Sequence, residues 1–86
     1  MADYFVSLTS SASKELEVLS SKIITRIVSN LDNLCKNPRP HGCKKLKGGT
    51  IEYRIRIGDY RVIYEINDKR KTVDVTRIAH RRDVYK

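Results

Sequence analysis

Three closely spaced arginines, Arg54, Arg56 and Arg61, are the side chains best placed to do chemistry together. Guanidiniums stay protonated and bind phosphate or carboxylate through paired hydrogen bonds, so their chemistry is anion binding rather than proton removal. Nearer the C-terminus the chain adds His80, which can exchange a proton near neutral pH, and the phenol of Tyr85. These residue types together predict a site that acts on a negatively charged ligand.

The segment 51–66 must position the arginines, and its alternation of residue types predicts a β-hairpin. Apolar residues at 51, 53, 55 and 57 fall on one side of the first strand, and Glu52, Arg54 and Arg56 fall on the other. A glycine-containing connection at 58–59 precedes a second apolar and aromatic strand. We expect antiparallel pairing to bring Arg61 to the exposed face beside the other two arginines. Like charges repel, so an anionic ligand gives the best reason for grouping them.

The composition predicts one small, basic domain over residues 1–86. The net charge is +8, and 13 of the 18 Lys and Arg residues lie in residues 44–86. This asymmetry indicates a polyanion or an acidic protein as partner. Apolar runs are all shorter than the ~20 residues of a membrane span, and no signal-peptide pattern is present, so we expect a cytoplasmic protein. No ligand set has metal-site spacing, so neither a metal nor another cofactor is expected.

The rest of the chain predicts an α+β fold. An alternating strand at residues 3–8 precedes a helix of about two turns, with hydroxyl N-caps offered at residues 9–11. A longer helix follows a second cap at Ser20, with apolar residues at helical spacing from Ile23 to Cys35. The last strand is expected at 72–78. The helices should pack on one face of a mainly antiparallel four-stranded sheet.

Three runs in the basic half of the chain carry a specific resemblance. They read K-L-K-G, then Y-R-I-R-I-G-D-Y-R-V-I-Y-E-I, then R-I-A-H-R-R-D-V-Y. In this order and spacing the sequence resembles the RelE/ParE toxin superfamily, and within it the RelE-type mRNA interferases. The resemblance implies a toxin of a type II toxin–antitoxin system that cuts mRNA in the ribosomal A site and stops translation. It also implies a small acidic antitoxin that wraps around the toxin.

RNA cleavage without a metal needs a base for the 2′-hydroxyl, cations around the phosphorane and an acid for the leaving 5′-oxygen. By resemblance, Arg54, Arg56 and Arg61 match the hairpin cations. Arg81 matches the tail cation, and Tyr85 matches a tail tyrosine that stacks on a base and is a candidate for proton transfer. Contacts to RNA or to the ribosome are expected from five other basic residues: Lys44, Lys45, Lys47, Arg77 and Arg82.

The sequence departs from some of its relatives, which carry lysines at the positions of Arg54 and Arg56. Since arginine does not lose its proton near neutral pH, neither can be the general base. Part of the base or acid role therefore moves to His80 or Tyr85. Two other functions stay open: a ParE-like inhibitor of DNA gyrase without catalysis, and an inactive nucleic-acid-binding relative. The clustered arginines and the H-R-R-D-V-Y tail together favour RNA chemistry.

Overall fold

The computed structural model describes residues 3–46 and 51–84. The elements are β1 (Phe5–Leu8), α1 (Ser10–Glu17), α2 (Ser21–Lys36), β2 (Lys44–Lys45), β3 (Glu52–Ile57), β4 (Tyr60–Asn67), β5 (Thr72–His80) and α3 (Arg81–Val84). The strands form one sheet in the order β1-β5-β4-β3-β2, in which β1 is parallel to β5 and the other pairs are antiparallel. The predicted α+β arrangement is confirmed. The sheet has five strands rather than four, because Lys44 and Lys45, which were not predicted as a strand, pair with β3.

Hydroxyl side chains start both long helices, as the sequence predicts. The Thr9 hydroxyl accepts a hydrogen bond from the backbone N–H of Ala12 at 3.2 Å, and the Ser20 hydroxyl accepts one from Ile23 at 3.4 Å. Each cap pairs one of the N–H groups that the first turn of a helix leaves without a backbone partner. The cap at Ser20 therefore marks the point between α1 and α2 at which the second helix begins.

The core lies between the two helices and one face of the sheet. From the helices it contains Ala12, Ile27, Leu31 and Leu34; from the sheet it contains Ile55, Ile57, Val62, Tyr64, Ile66, Val73, Val75 and Ile78. The buried hydroxyl of Tyr64 donates a 2.8 Å hydrogen bond to the Pro38 carbonyl, and burial raises the pKa of this phenol. The other face of the sheet carries no helix from the described residues. Within 3–46 and 51–84, no helix is long and apolar enough to cross a membrane.

Helix α1 covers the outer edge of β5 beyond the point where β1 ends. The Thr9 N–H donates to the Val75 carbonyl at 2.9 Å, and a Glu15 carboxylate oxygen accepts from the Ile78 N–H at 2.8 Å. An uncovered strand edge leaves backbone groups open to pairing with other chains. The side chain of Glu15 therefore takes the place of a neighbouring strand along this part of β5.

A polar cluster ties β1 and the loop after α2 to the β4–β5 turn. Two guanidinium nitrogens of Arg39 donate to the Asp68 carboxylate at 2.9 and 3.2 Å, and the Tyr4 hydroxyl donates to it at 2.6 Å. Arg39 also donates to the Tyr53 hydroxyl at 3.2 Å and lies over that ring. The bonds from Arg39 and then Tyr4 lower the pKa of Asp68 from 3.8 to about 2. Three distant segments thus meet at one carboxylate.

Replacing Asp68 by asparagine should make the free energy of unfolding depend less on pH under acidic conditions. The folded carboxylate has the lower pKa, so it stabilises the protein above about pH 4, and this contribution is lost as the pH falls from about 4 towards about 2. Urea unfolding between pH 2 and 6 should show a steeper loss for wild type than for D68N. The difference should shrink in high salt because the Arg39–Asp68 pair is exposed. Parallel profiles would mean that the pair adds no measurable stability.

Candidate active site

The β3–β4 hairpin carries the site and turns through two residues. Ile57 pairs with Tyr60, so Gly58 and Asp59 make the connection. Gly58 has φ +60, the left-handed region that glycine adopts without a steric penalty at the first position of a type II′ turn. The Gly58 carbonyl accepts a 3.1 Å hydrogen bond from the Nε of Arg56. The turn thus fixes both the strand register and one of the arginines.

The strand register places four neighbouring cations of β2, β3 and β4 on the face of the sheet away from the helices. Arg56 pairs directly with Arg61, and Arg54 pairs with Lys44 on its other side. Side chains of directly paired residues point to the same face, while neighbours along a strand point to opposite faces. Val62 lies in the core, so Arg61 points away from it. We call this side of the sheet the arginine face.

The four cations line a pocket of about 290 Å³, whose lining is Gly42, Lys44, Arg54, Arg56 and Arg61. We call it the arginine pocket. Its lining contains no carboxylate, so an anion entering it meets positive charge from β2, β3 and β4. The guanidiniums of Arg54 and Arg56 can give parallel hydrogen bonds to a phosphate, the mostly buried Arg61 adds positive charge beneath them, and Lys44 adds a point charge. The lining is therefore suited to a phosphate group.

Arg61 lies beside Arg56 as predicted, but only 8% of its surface is exposed, so the prediction that it is exposed is wrong. β4 is the middle strand of the sheet, and Arg61 lies between Arg56 on β3 and Ala79 on β5. Arg56 is exposed and Arg54 is half-buried. Arg61 consequently forms the floor of the arginine pocket, and the other cations form its walls.

His80 does not lie with the arginines, because a β-bulge intervenes. Tyr64 pairs with Val75 but Ile63 pairs with Arg77, which leaves Thr76 as an extra residue in β5. One extra residue moves every later side chain of the strand to the other face. His80 therefore points to the helix side, where its ring meets that of Tyr60 edge-on at 5.3 Å between centroids.

The remaining predicted contact residues surround the hairpin at other positions. Arg77 is exposed on β5, and its Nε lies 3.7 Å from Glu15. Lys45 pairs with Tyr53, so it points to the helix side of the sheet. Exposed Arg81 and Arg82 begin α3, and the Arg81 N–H donates to the Asp59 carbonyl at 2.7 Å, which holds the tail against the hairpin turn. Two predicted residues, Lys47 and Tyr85, lie outside the described residues.

One member of the pocket, Gly42, was not predicted from the sequence. This residue has φ +92, and a Cβ built on it would meet nothing within 4 Å. The P-R-P-H-G run at 38–42 is typical of a loop, but nothing in it indicates that the loop ends beside the hairpin. Among the described residues, no group of three or more His, Cys, Asp or Glu could hold a metal ion.

Comparison with known proteins places this geometry in a family. Residues 6–85 match the family model of the ParE toxin of the type II toxin–antitoxin system parDE. The chain belongs to the RelE/ParE superfamily of type II toxins. The resemblance predicted from the sequence is thereby confirmed. Toxin RelG of Mycobacterium tuberculosis is 31% identical over 84 residues, covering 96% of this chain and 97% of the relative. Toxin RelE of the same species is 33% identical over 85 residues, with coverage of 96% and 87%.

Solved structures of RelE/ParE toxins share the fold. The archaeal RelE–RelB complex of Pyrococcus horikoshii contains a chain with TM-score 0.84 and 34% identity, with coverage of 94% of this toxin and 97% of that chain. The intact E. coli RelBE toxin–antitoxin complex gives TM-score 0.78 and 26% identity, with coverage of 90% and 95%. The predicted fold class is thus confirmed by neighbours as well as by the strand order.

Proposed function

We propose that this toxin is a ribosome-dependent, metal-independent endoribonuclease that cuts mRNA in the ribosomal A site and so stops translation. The arginine pocket is the observation that carries the proposal. It offers an anion four cations on a rigid sheet, at a face that no described helix covers. The similarity to proteins named RelE supports the same function.

In the proposed reaction the 2′-hydroxyl of one nucleotide attacks its own 3′-phosphate, and the bond to the 5′-oxygen breaks. Negative charge on the phosphate oxygens grows in the transition state, and cations held in place beforehand stabilise that state more than the ground state. Arg61 on the pocket floor, with Arg54 and Arg56, would bind those oxygens. Tyr85 remains proposed as the tail residue that stacks on a base, and Arg81 and Arg82 as further contacts to RNA.

The net charge of this toxin and its solved structural neighbours support the proposed binding partners. The solved neighbours include complexes of a RelE toxin with a RelB antitoxin. We propose that this toxin, with a net charge of +8, binds a small acidic antitoxin that wraps around it in the cytoplasm. Ribosome and mRNA are the proposed targets of the free toxin. Lys45, Lys47 and Arg77 are proposed to contact them outside the arginine pocket.

A second function is a ParE-like inhibition of DNA gyrase without catalysis. The observation that favours it is the match to the family model, whose description is the ParE toxin of the type II toxin–antitoxin system parDE. The two functions need different things from the same fold, because only cleavage requires cations gathered around one phosphate. The four-cation pocket therefore favours the endoribonuclease. A third outcome, an inactive nucleic-acid-binding relative, would bind RNA through the same face without cutting it.

Induced expression should stop protein synthesis before DNA synthesis. The measurement is pulse incorporation of labelled amino acids and labelled thymidine at short times after induction. We expect amino-acid incorporation to fall first and thymidine incorporation to follow. An early fall in thymidine incorporation, with translation continuing, would favour the gyrase inhibitor. Unchanged incorporation of both labels would favour the inactive relative.

A further inference from the structure

One side chain in the lining of the arginine pocket can act as a proton donor to a strongly basic leaving oxygen. Three of its four cations are guanidiniums, which do not release a proton at neutral pH. The fourth is the ammonium group of Lys44. We propose that Lys44 is the general acid of the reaction and gives its proton to the departing 5′-oxygen. This inference rests on the proposed endoribonuclease function.

The position of Lys44 suits a group that acts on the leaving oxygen. β2 is an edge strand, and Lys44 is exposed, whereas Arg61 is buried at the pocket floor. Lys44 pairs with Arg54, which places the ammonium beside a cation that would bind the phosphate. Gly42 next to it has no side chain and open space around it. A phosphate held in the pocket would therefore lie beside Lys44 on its exposed side.

The proton balance of the step is complete. The 2′-oxygen forms a bond to phosphorus, and its proton passes to a base, which can be a solvent water molecule. The bond from phosphorus to the 5′-oxygen breaks, and the electron pair stays on that oxygen. The oxygen takes a proton from the Lys44 Nζ, which leaves a neutral amine that solvent protonates again. The products are a 2′,3′-cyclic phosphate and a 5′-hydroxyl.

The residues at the end of β5 and the start of α3 are less well placed to donate the proton. The bulge in β5 directs His80 to the helix side of the sheet, and its Nδ1 accepts a 3.3 Å hydrogen bond from the Arg82 N–H. Arg81 and Arg82 are guanidiniums and have the same limitation as the pocket arginines. Among the residues that line the arginine pocket, Lys44 is therefore the one with a transferable proton.

The test replaces Lys44 by arginine, which keeps the charge but cannot give a proton at neutral pH. Ribosomal complexes are assembled on synthetic mRNA with either the ordinary linkage or a single 5′-bridging sulfur at the cut site. A thiolate leaves without protonation, so the sulfur linkage needs no general acid. We expect K44R to cut the ordinary linkage ~100-fold or more slower than wild type, as typical for loss of acid catalysis. We expect it to cut the sulfur linkage within ~3-fold of wild type, because its phosphate binding is retained.

The matched control is K69R, the same change at an exposed lysine in the turn at the opposite end of β4; it should cut both linkages at the wild-type rate. K44Q lacks both the charge and the transferable proton. It should also cut the sulfur linkage at a rate closer to that of wild type than it cuts the ordinary linkage. Cutting of the ordinary linkage by K44R at the wild-type rate, or an equal loss on both linkages, would overturn the inference while leaving the proposed function in place. If wild type cuts neither linkage, the proposed function fails first and the inference with it.

Discussion

Replacing Arg61 by methionine should abolish toxicity while the protein stays folded. Methionine fills much of the space of a buried arginine but has neither charge nor hydrogen-bond donors. Loss of one pre-placed donor to transition-state charge typically costs about 3 kcal/mol, or ~100-fold or more in rate. We expect that loss in single-turnover cleavage on the ribosome, and growth at an expression level at which wild type arrests cells.

The burial of Arg61 decides how this experiment is designed. Alanine would leave a void at a position that is 8% exposed, so R61A could lose activity through loss of packing. The control is R70M, the same change at an exposed residue in the β4–β5 turn. Both variants should melt within a few degrees of wild type, since R61M also relieves repulsion among the pocket cations. A folded R61M that still arrests growth would show that the reaction centre lies elsewhere.

The purified toxin should cut free RNA far more slowly than mRNA on the ribosome. The arginine pocket can bind a phosphate, but nothing in its lining aligns the 2′-hydroxyl with the bond that must break. Positioning a substrate in a near-attack arrangement can supply ~7–11 kcal/mol. If the ribosome supplies even part of this, we expect a difference of ~1,000-fold or more in single-turnover rate.

The comparison uses one mRNA sequence, end-labelled, with and without programmed ribosomes. R61M on the ribosome serves as the background, since any contaminating nuclease would cut equally in its presence. Efficient cutting of the free RNA by wild type would contradict a dependence on the ribosome, although it would leave an endoribonuclease.

The alternating residues of β3 were enough to predict the hairpin and the arginine grouping. Ile55 and Ile57 mark the core face so clearly that the face of Arg54 and Arg56 followed from period two alone. The starts of the helices could equally be predicted from the sequence, because the caps at Thr9 and Ser20 are local interactions. These features depend on residues close together in the sequence.

The wrong predictions concern features that depend on contacts between segments distant in the sequence. Strict alternation along β5 from Val73 and Val75 would put His80 on the arginine face, and only the extra residue at Thr76 reverses it. Thr76 carries no local bulge signal such as a glycine. The burial of Arg61 likewise depends on its neighbours across the strands, which a sequence does not display. The two-residue strand β2 is too short for any periodic pattern.

Primer extension on a translated mRNA tests directly whether this toxin cuts mRNA in the ribosomal A site. A reconstituted translation system is stalled with a chosen codon in the A site, wild-type toxin or R61M is added, and the 3′ ends of the extension products are mapped. We expect new ends within the A-site codon with wild type, none with R61M, and none when ribosomes are omitted. Intact mRNA in the wild-type reaction, or cuts that ignore the position of the ribosome, would contradict this expectation.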